Sequence, residues 1–167
     1  MQDILCYNLF WNKTRKQPGG KGRMTMQEVQ PYIHKVHYYE TDKMGITHHS
    51  NYVRWMEEAR VDFLSKIGWD YARLEETGVV SPVVGIDVRY RGSTAFSDSV
   101  TIVVKIMECK GVRLKLSYLM TNEAGKTVCE ASSEHCFLNM EGRPVRLEQF
   151  RPEFYFALLE HMKVSGV

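Results

Sequence analysis

The chain has 167 residues, a net charge of +2 and a pI near 8.3. This length predicts one domain with a substantial core, and so small a charge does not indicate nucleic acid or an anionic membrane as a partner. Cys6, Cys109, Cys129 and Cys136 show no CxxC spacing, which argues against a disulfide set or a zinc knuckle. No signal peptide and no run of ~20 apolar residues is evident, so we expect a cytoplasmic protein without a membrane span.

Residues 1–25 are predicted to be a flexible N-terminal extension, separate from a domain over residues 26–167. Residues 12–23 are basic and glycine-rich, and the run PGGKG at residues 18–22 cannot pack a core. We assign this extension no catalytic role. A basic, partner-binding tail is the functional alternative.

The most informative stretch lies between a predicted strand, residues 32–38, and the strongest helix pattern in the chain. It carries Asp42, Gly45, His48, His49 and Ser50. A carboxylate on a loop before a helix N-terminus suits acyl transfer, because it can act as base or nucleophile while free N–H groups receive an oxyanion. An ordinary polar loop with incidental histidines is the alternative that these residues leave open.

The helix after this loop is predicted from apolar residues spaced i, i+3, i+4 and i+7, and Gly68 is expected to end it. The residues of this face are Tyr52, Trp55, Met56, Ala59, Phe63 and Ile67. Arg60 projects at the edge of the face and needs a partner. Glu57, three residues earlier, is the nearest candidate.

Four further strands are predicted, near residues 79–91, 100–106, 112–120 and 127–138, followed by a short helix starting at Pro152. No alternation of strands and helices and no internal repeat is present. The pattern therefore predicts an α+β fold, in which a single curved antiparallel sheet wraps around one long helix. The strand near residues 83–90 is expected to be an edge through which the protein self-associates.

Two segments together resemble a known family: residues 39–52 (YETDKMGITHHSNY) and residues 55–60 (WMEEAR). They are similar to the hotdog-fold acyl-CoA thioesterases of the 4-hydroxybenzoyl-CoA thioesterase type, including those associated with bacterial Tol–Pal. The resemblance covers about residues 31–145. Related hydratases of the same fold carry a histidine five residues after the aspartate, where this chain has Thr47, so hydrolysis of a thioester is expected instead of hydration.

The resemblance implies a homodimer, or a tetramer of dimers, whose sheets join edge to edge with acyl-CoA bound across the interface. Asp42 is then the general base or, by another proposal for the family, the nucleophile. The main-chain N–H groups around His49 and Ser50 polarise the thioester carbonyl, and the His49 side chain has a supporting role. Glu57 is a second candidate, since some hotdog enzymes place their acid on this helix.

No separate cofactor is expected, because coenzyme A is part of the substrate, and no metal site is expected either. The two strand histidines, His34 and His37, are three residues apart, which predicts opposite faces of the strand. A shared metal site with His48 and His49 is therefore not predicted.

The phosphates of coenzyme A require basic side chains, because charge-assisted hydrogen bonds to phosphate suit lysine and arginine. Lys110, Arg113 and Lys115 are the first candidates, and Arg89 and Arg91 are the second. A charged strand face that is merely solvated is the structural alternative.

Three functions remain open from the sequence. The first is an acyl-CoA thioesterase. The second is the same reaction on thioesters of acyl carrier protein, with the basic patch binding an acidic partner. The third is a non-catalytic hotdog module that binds acyl groups or coenzyme A, because a fold does not determine a function.

Overall fold

The structure, a computed structural model, describes residues 29–164, so the predicted extension over residues 1–25 lies outside the described residues. The described part contains five strands, four helices and one 3-10 helical turn. In chain order they are β1 (Tyr32–Lys35), the 3-10 turn (Tyr38–Glu40), α1 (Ser50–Lys66), α2 (Tyr71–Glu76), β2 (Val83–Tyr90), β3 (Ser99–Lys110), β4 (Arg113–Asn122), β5 (Thr127–Cys136), α3 (Leu147–Phe150) and α4 (Pro152–Val164).

The five strands form one antiparallel sheet in the order β1-β3-β4-β5-β2. Two hairpins join β3 to β4 and β4 to β5, and their turns use Gly111 and Gly125 at positive φ, which glycine adopts without steric cost. The predicted α+β hotdog architecture is confirmed. Among residues 29–164, no helix is long and apolar enough to cross a membrane.

The core lies between α1 and the inner face of the sheet. Trp55 and Ala59 on α1 are fully buried, as are Ile102 and Ile106 on β3. Helix α1 lies nearest to β3 and β1, and the inner face of β5 includes the small residue Ala131. Burying a large apolar side chain contributes about 1.5–3 kcal/mol, so this one layer supplies much of the stability.

The predicted pair between Glu57 and Arg60 is wrong, since no ion pair joins them within the described range. Glu57 is exposed on the solvent side of α1, whereas Arg60 is buried at 7 % exposure. The guanidinium lies over the ring of Tyr71 on α2, 5.3 Å from its centroid. Helix α2, which packs beside α1, thus offers Arg60 an aromatic partner that the spacing along α1 could not indicate.

The inner face of β2 is apolar yet exposed. Val84, Ile86 and Tyr90 are 62 %, 51 % and 47 % exposed, although the register places Ile86 opposite the buried Ser133 of β5. Helix α1 lies nearest to β3 and β1, toward the other edge of the sheet, and leaves this edge strand open. We call Val84, Ile86 and Tyr90 the β2 inner face.

The terminal helix is longer than the short one predicted, although it begins at Pro152 as expected. It has 13 residues, and Phe154 and Leu158 are buried. The ring of Phe154 lies 4.8 Å from Trp69 and 6.1 Å from Phe137, measured between centroids. Helix α4 therefore seals the end of the core that lies farthest from the N-terminus of α1.

We predict that Leu158→Ala lowers the free energy of unfolding by about 2–5 kcal/mol, because it leaves a cavity under α4. Phe156→Ala, on the same helix but 37 % exposed, should cost less than half as much. Urea denaturation followed by circular dichroism measures both. Equal losses for the two variants would show that α4 is not docked through Leu158.

Candidate active site

The loop that carries Asp42 is closed by main-chain hydrogen bonds. The Asp42 N–H donates to the carbonyl of Ile46 at 3.0 Å, and the His48 N–H donates to the carbonyl of Glu40 at 2.8 Å. Gly45 has a φ of 73°, a conformation that suits glycine at the tip of such a turn. The loop therefore returns to its starting point immediately before α1, and we call residues 40–48 the Asp42 loop.

The Asp42 carboxylate is oriented and accessible. Its Oδ1 accepts the N–H of Met44 at 2.8 Å, and the side chain is exposed. The Gly45 N–H also donates to the main-chain oxygen of Asp42 at 3.0 Å. A carboxylate held in this way remains open to a substrate or to water.

The N-terminus of α1 presents free donors. Within the described residues the His49 N–H has no hydrogen-bond partner, and the Ser50 N–H makes only a 3.4 Å contact with His48 Nδ1. The carbonyl of His49 accepts the hydroxyl of Tyr90 at 3.0 Å, which ties this point to β2. Free N–H groups at the positive end of a helix dipole favour an anion.

A buried threonine pair fixes the Asp42 loop to the turn before β3. Thr47 Oγ1 lies 2.7 Å from Thr94 Oγ1, and the Thr47 N–H donates to the carbonyl of Thr94 at 2.8 Å. The Tyr52 hydroxyl lies 3.1 Å from the same Thr94 oxygen, and burial raises the pKa of Tyr52. Thr47, which distinguishes the chain from the hydratases, therefore serves to hold the loop.

Glu40 is a component of the site that the sequence patterns did not reveal. It is 4 % exposed, its Oε1 accepts the indole N–H of Trp55 at 2.7 Å, and its Oε2 accepts the His37 main-chain N–H at 2.7 Å. Burial favours a raised pKa, but the hydrogen bonds from His34, His37 and Trp55 outweigh it and lower the pKa of Glu40. An acid immediately before the Asp42 motif, with a tryptophan on the inner helix face, was the available signal.

The prediction that His34 and His37 point to opposite faces is wrong. Their ring centroids lie 5.5 Å apart, and Nδ1 of His37 is 3.4 Å from Glu40 Oε2. Strand β1 ends at Lys35, so the alternation of a strand does not continue to residue 37. His34, His37 and Glu40 converge, but hydrogen bonds already occupy the Glu40 oxygens, and we assign the cluster to hydrogen bonding.

Glu57 lies away from the Asp42 loop within one chain. It is exposed and lines a groove on the solvent side of α1. The other residues of that groove are Tyr32, Arg54, Glu58, Val61, Asp62 and Ser65. The structure therefore does not bring Glu57 together with Asp42 in a single subunit.

Lys110 and Arg113 lie at the opposite end of the sheet from the Asp42 loop. Strand β3 starts beside that loop, where the Val36 N–H donates to the carbonyl of Asp98 at 2.9 Å, and it ends at Lys110. At roughly 3.3 Å per residue, the strand carries Lys110 on the order of 35 Å away. Both side chains are exposed, and neither can reach the Asp42 loop of its own chain.

The remaining predicted phosphate ligands are held in ion pairs. The contacts are Lys115 Nζ to Glu134 Oε1 at 3.1 Å, Arg89 Nε to Asp87 Oδ1 at 3.4 Å and Arg91 Nη2 to Glu130 Oε2 at 2.8 Å. All three pairs are substantially exposed, so each contributes little to stability. A phosphate could therefore compete for these cations.

Several known proteins are similar to this chain. A Bacillus subtilis (strain 168) protein, YneP, whose name assigns it to the acyl-CoA thioesterases, is 32 % identical over 124 residues, covering 74 % of this chain and 90 % of YneP. The 1,4-dihydroxy-2-naphthoyl-CoA hydrolase of Thermosynechococcus vestitus (strain NIES-2133 / IAM M-273 / BP-1) is 25 % identical over 121 residues, covering 72 % of this chain and 83 % of that protein.

The fold is shared with solved thioesterases. The DHNA-CoA thioesterase of Staphylococcus aureus superposes with a TM-score of 0.76 and 30 % identity, over 81 % of this chain and 92 % of that structure. These relatives confirm the predicted enzyme class, a thioester hydrolase. The finer assignment, to the 4-hydroxybenzoyl-CoA or Tol–Pal type, stays a prediction.

The family itself follows from a match over most of the domain. The model of the thioesterase-like superfamily matches residues 36–158, which include the Asp42 loop, α1 and all strands after β1. The chain belongs to the thioesterase-like superfamily.

Proposed function

We propose that the protein hydrolyses acyl-CoA to a free acid and coenzyme A, with Asp42 as the general base or the nucleophile. The observation that carries this proposal is the exposed, oriented Asp42 carboxylate on a loop that leads directly to the unpartnered His49 N–H. A carboxylate and an oxyanion donor suit the cleavage of a thioester, whose thiolate is a competent leaving group. YneP and the DHNA-CoA thioesterase lend support through the activities in their names.

In the base mechanism, Asp42 takes a proton from water as the water oxygen attacks the thioester carbon. The N–H groups of His49 and Ser50 stabilise the oxyanion that forms, and the imidazole of His49 helps to hold the substrate. The C–S bond then breaks, the electron pair leaves on sulfur, and the proton passes to the departing thiolate. In the nucleophile mechanism, an Asp42 oxygen attacks the same carbon, the C–S bond breaks, and its electron pair leaves on sulfur. Water then hydrolyses the mixed anhydride to the free acid and the Asp42 carboxylate, and the proton that water releases passes to the thiolate.

We predict that Asp42→Asn lowers kcat by on the order of 10²–10⁴ on the best acyl-CoA, the range of a positioned base. Asparagine keeps an oxygen that can accept the Met44 N–H, so the loop should stay folded and KM should change little. Thiol release over panels of acyl-CoA and acyl-carrier-protein thioesters measures this.

The exposed carboxylate Glu123 in the β4–β5 turn provides a matched control, and Glu123→Gln should leave kcat unchanged. Near wild-type turnover by Asp42→Asn would refute the catalytic assignment, and Glu57 would then be the carboxylate to test. Activity confined to acyl-carrier-protein substrates would favour the second function, and no activity on either panel would favour a binding module.

We also propose that the protein self-associates through β2. Strand β2 is an edge of the sheet, and its inner face leaves Ile86 more than half exposed. Unpaired edges and exposed apolar patches are surfaces that proteins tend to cover. A second copy whose β2 pairs antiparallel across a two-fold axis covers the unpaired edge and extends the sheet.

We predict a dimer at micromolar concentration, which Ile86→Lys shifts to monomer because a charge is then forced into the joint. Ile86 is exposed in one chain, so the variant should still fold. The control is Leu119→Lys, a 44 % exposed residue on the outer face of β4, which should leave the dimer intact. Sedimentation velocity measures both. A wild-type protein that sediments only as a monomer contradicts the proposed interface.

The dimer would also bring the basic residues of one subunit closer to the Asp42 loop of the other. In β2, Val83 lies at the Lys110 end of the sheet, since it pairs with His135 near the β4 start, while Tyr90 contacts His49. Antiparallel pairing of two β2 strands sets one chain's Val83 beside the other's Tyr90. The Lys110 and Arg113 turn of each subunit then lies on the same side as the other subunit's Asp42 loop, where it can bind phosphates.

We predict that Lys110→Ala/Arg113→Ala raises KM for acyl-CoA about tenfold or more, while kcat at saturation is retained. Mixing this variant with Asp42→Asn after denaturation and refolding should restore activity at low substrate. Random pairing gives about a quarter of the wild-type sites, because one site of each heterodimer is intact. If the kcat/KM of the mixture instead equals the mean of the two separate variants, the cations do not act across subunits.

A further inference from the structure

His34 has a carboxylate oxygen on both sides of its ring. It is 4 % exposed, with Nε2 2.9 Å from Glu40 Oε2 and Nδ1 3.1 Å from Glu58 Oε2. A neutral imidazole offers one donor and one acceptor, whereas an ionised carboxylate only accepts. Both contacts can be hydrogen bonds only when both ring nitrogens carry a hydrogen, so the geometry assigns His34 as an imidazolium.

Both carboxylates are already acceptors from other groups. Glu40 accepts the indole N–H of Trp55 and the main-chain N–H of His37. Glu58 Oε2 accepts the hydroxyl of Tyr32 at 3.0 Å. Burial and then the bond to Glu58 raise the pKa of Tyr32 to about 12, so this hydroxyl remains a donor at ordinary pH. Neither carboxylate is therefore placed to act as the donor toward His34.

The charge on His34 balances a buried carboxylate. In the part of the chain that the structure describes, the ion pairs of Glu40 and Glu58 involve histidines alone. The other titratable side chains facing the cluster, from the loop, β1 and α1, are His37, Tyr32, Arg54, Glu57, Asp62 and Lys66; Arg54 and Glu57 are exposed. Lys66 pairs with Asp62 and His37 is 55 % exposed, so His34 is the one buried cation beside Glu40 among the described residues.

Glu40 connects this charge to Asp42. Its main-chain oxygen accepts the His48 N–H and the Asn51 side-chain amide, each at 2.8 Å. The residue therefore holds the start of the Asp42 loop, its end and helix α1 together. Asp42 follows only two residues later, and a misplacement of about 1 Å can cost on the order of 10²-fold in rate.

We propose that Glu40 and His34 are positioning residues for Asp42, and that they hold the loop while His34 carries a proton on both ring nitrogens. This inference rests on the proposed function. When His34 loses one proton, a ring nitrogen becomes an acceptor that faces a carboxylate oxygen, and the contact turns repulsive. The contacts by which Glu40 holds the Asp42 loop are then weakened, so kcat/KM falls as the pH rises.

The test is Glu58→Gln, because Glu58 is exposed at 45 % and lies outside the catalytic loop. Glutamine can still accept the His34 Nδ1–H, but it removes one of the two charges that favour the imidazolium. The matched control is Asp62→Asn, which neutralises an acid on the same helix that pairs with Lys66 instead of His34. The pH profile of kcat/KM is measured for each variant after the non-enzymatic hydrolysis rate has been subtracted.

We expect the alkaline limb of Glu58→Gln to move about one pH unit downward, up to a tenfold loss at the alkaline end, with an unchanged acid plateau. Asp62→Asn should superimpose on the wild type. A Glu58→Gln profile that also superimposes overturns the proposal, since a merely structural role does not move a pH limb.

A second readout does not depend on activity. The six histidines are labelled with ¹³C, and the His34 signal is assigned by its loss in His34→Gln. His34 should carry a hydrogen on both ring nitrogens at pH 7 in the wild type. A neutral His34 at pH 7 overturns the proposed role of Glu40 and His34 even if the enzyme is active. A doubly protonated His34 in a protein without thioesterase activity refutes the proposed function, but it still supports the contacts proposed for Glu40 and His34.

Discussion

The candidate site depends on the burial of one negative charge, the carboxylate of Glu40. An ionised carboxylate is costly to remove from water unless donors surround it. Here β1, the main chain of His37 just before the Asp42 loop, and α1 each supply one. If any of the three elements moved, the charge would lose a partner. The requirement to satisfy this carboxylate therefore fixes the mutual placement of β1, the Asp42 loop and α1 more tightly than apolar contacts, which are non-directional.

The position of α1 on the sheet determines which parts of the fold stay exposed. The helix buries Trp55 and Ala59 completely, while its N-terminus remains at the surface, and the His49 N–H has no partner within residues 29–164. Helix α1 lies nearest to β1 and β3, so the opposite edge strand, β2, is left less covered. The exposed Ile86 on β2 is the result, so the exposed Asp42 loop and an uncovered apolar strand occur in one fold.

The sequence was sufficient for the fold and for the position of Asp42 on a loop before α1, but not for the role of Glu40. The 3.6-residue period of α1 and the alternation of the strands repeat along the sequence, and such repeats directly indicate which residues are buried. Glu40 and His34 are single polar residues whose burial depends on Trp55, fifteen positions away, and on where β1 ends. Arg60 was misassigned for the same reason, since its partner, Tyr71, lies on another helix. A local sequence pattern shows which face of one helix or strand is buried, whereas a buried polar contact joins residues of separate elements.

The contacts of Glu40 are also close together along the chain. Its partners run from His34 to Trp55, whereas the pairs of β2 with β5 run from Tyr90 with Cys129 to Val83 with His135. Short loops close at a smaller entropic cost and close faster than long ones. The segment from His34 to Trp55 is therefore able to assemble as a local unit, whereas the pairing of β2 with β5 and of β1 with β3 is non-local.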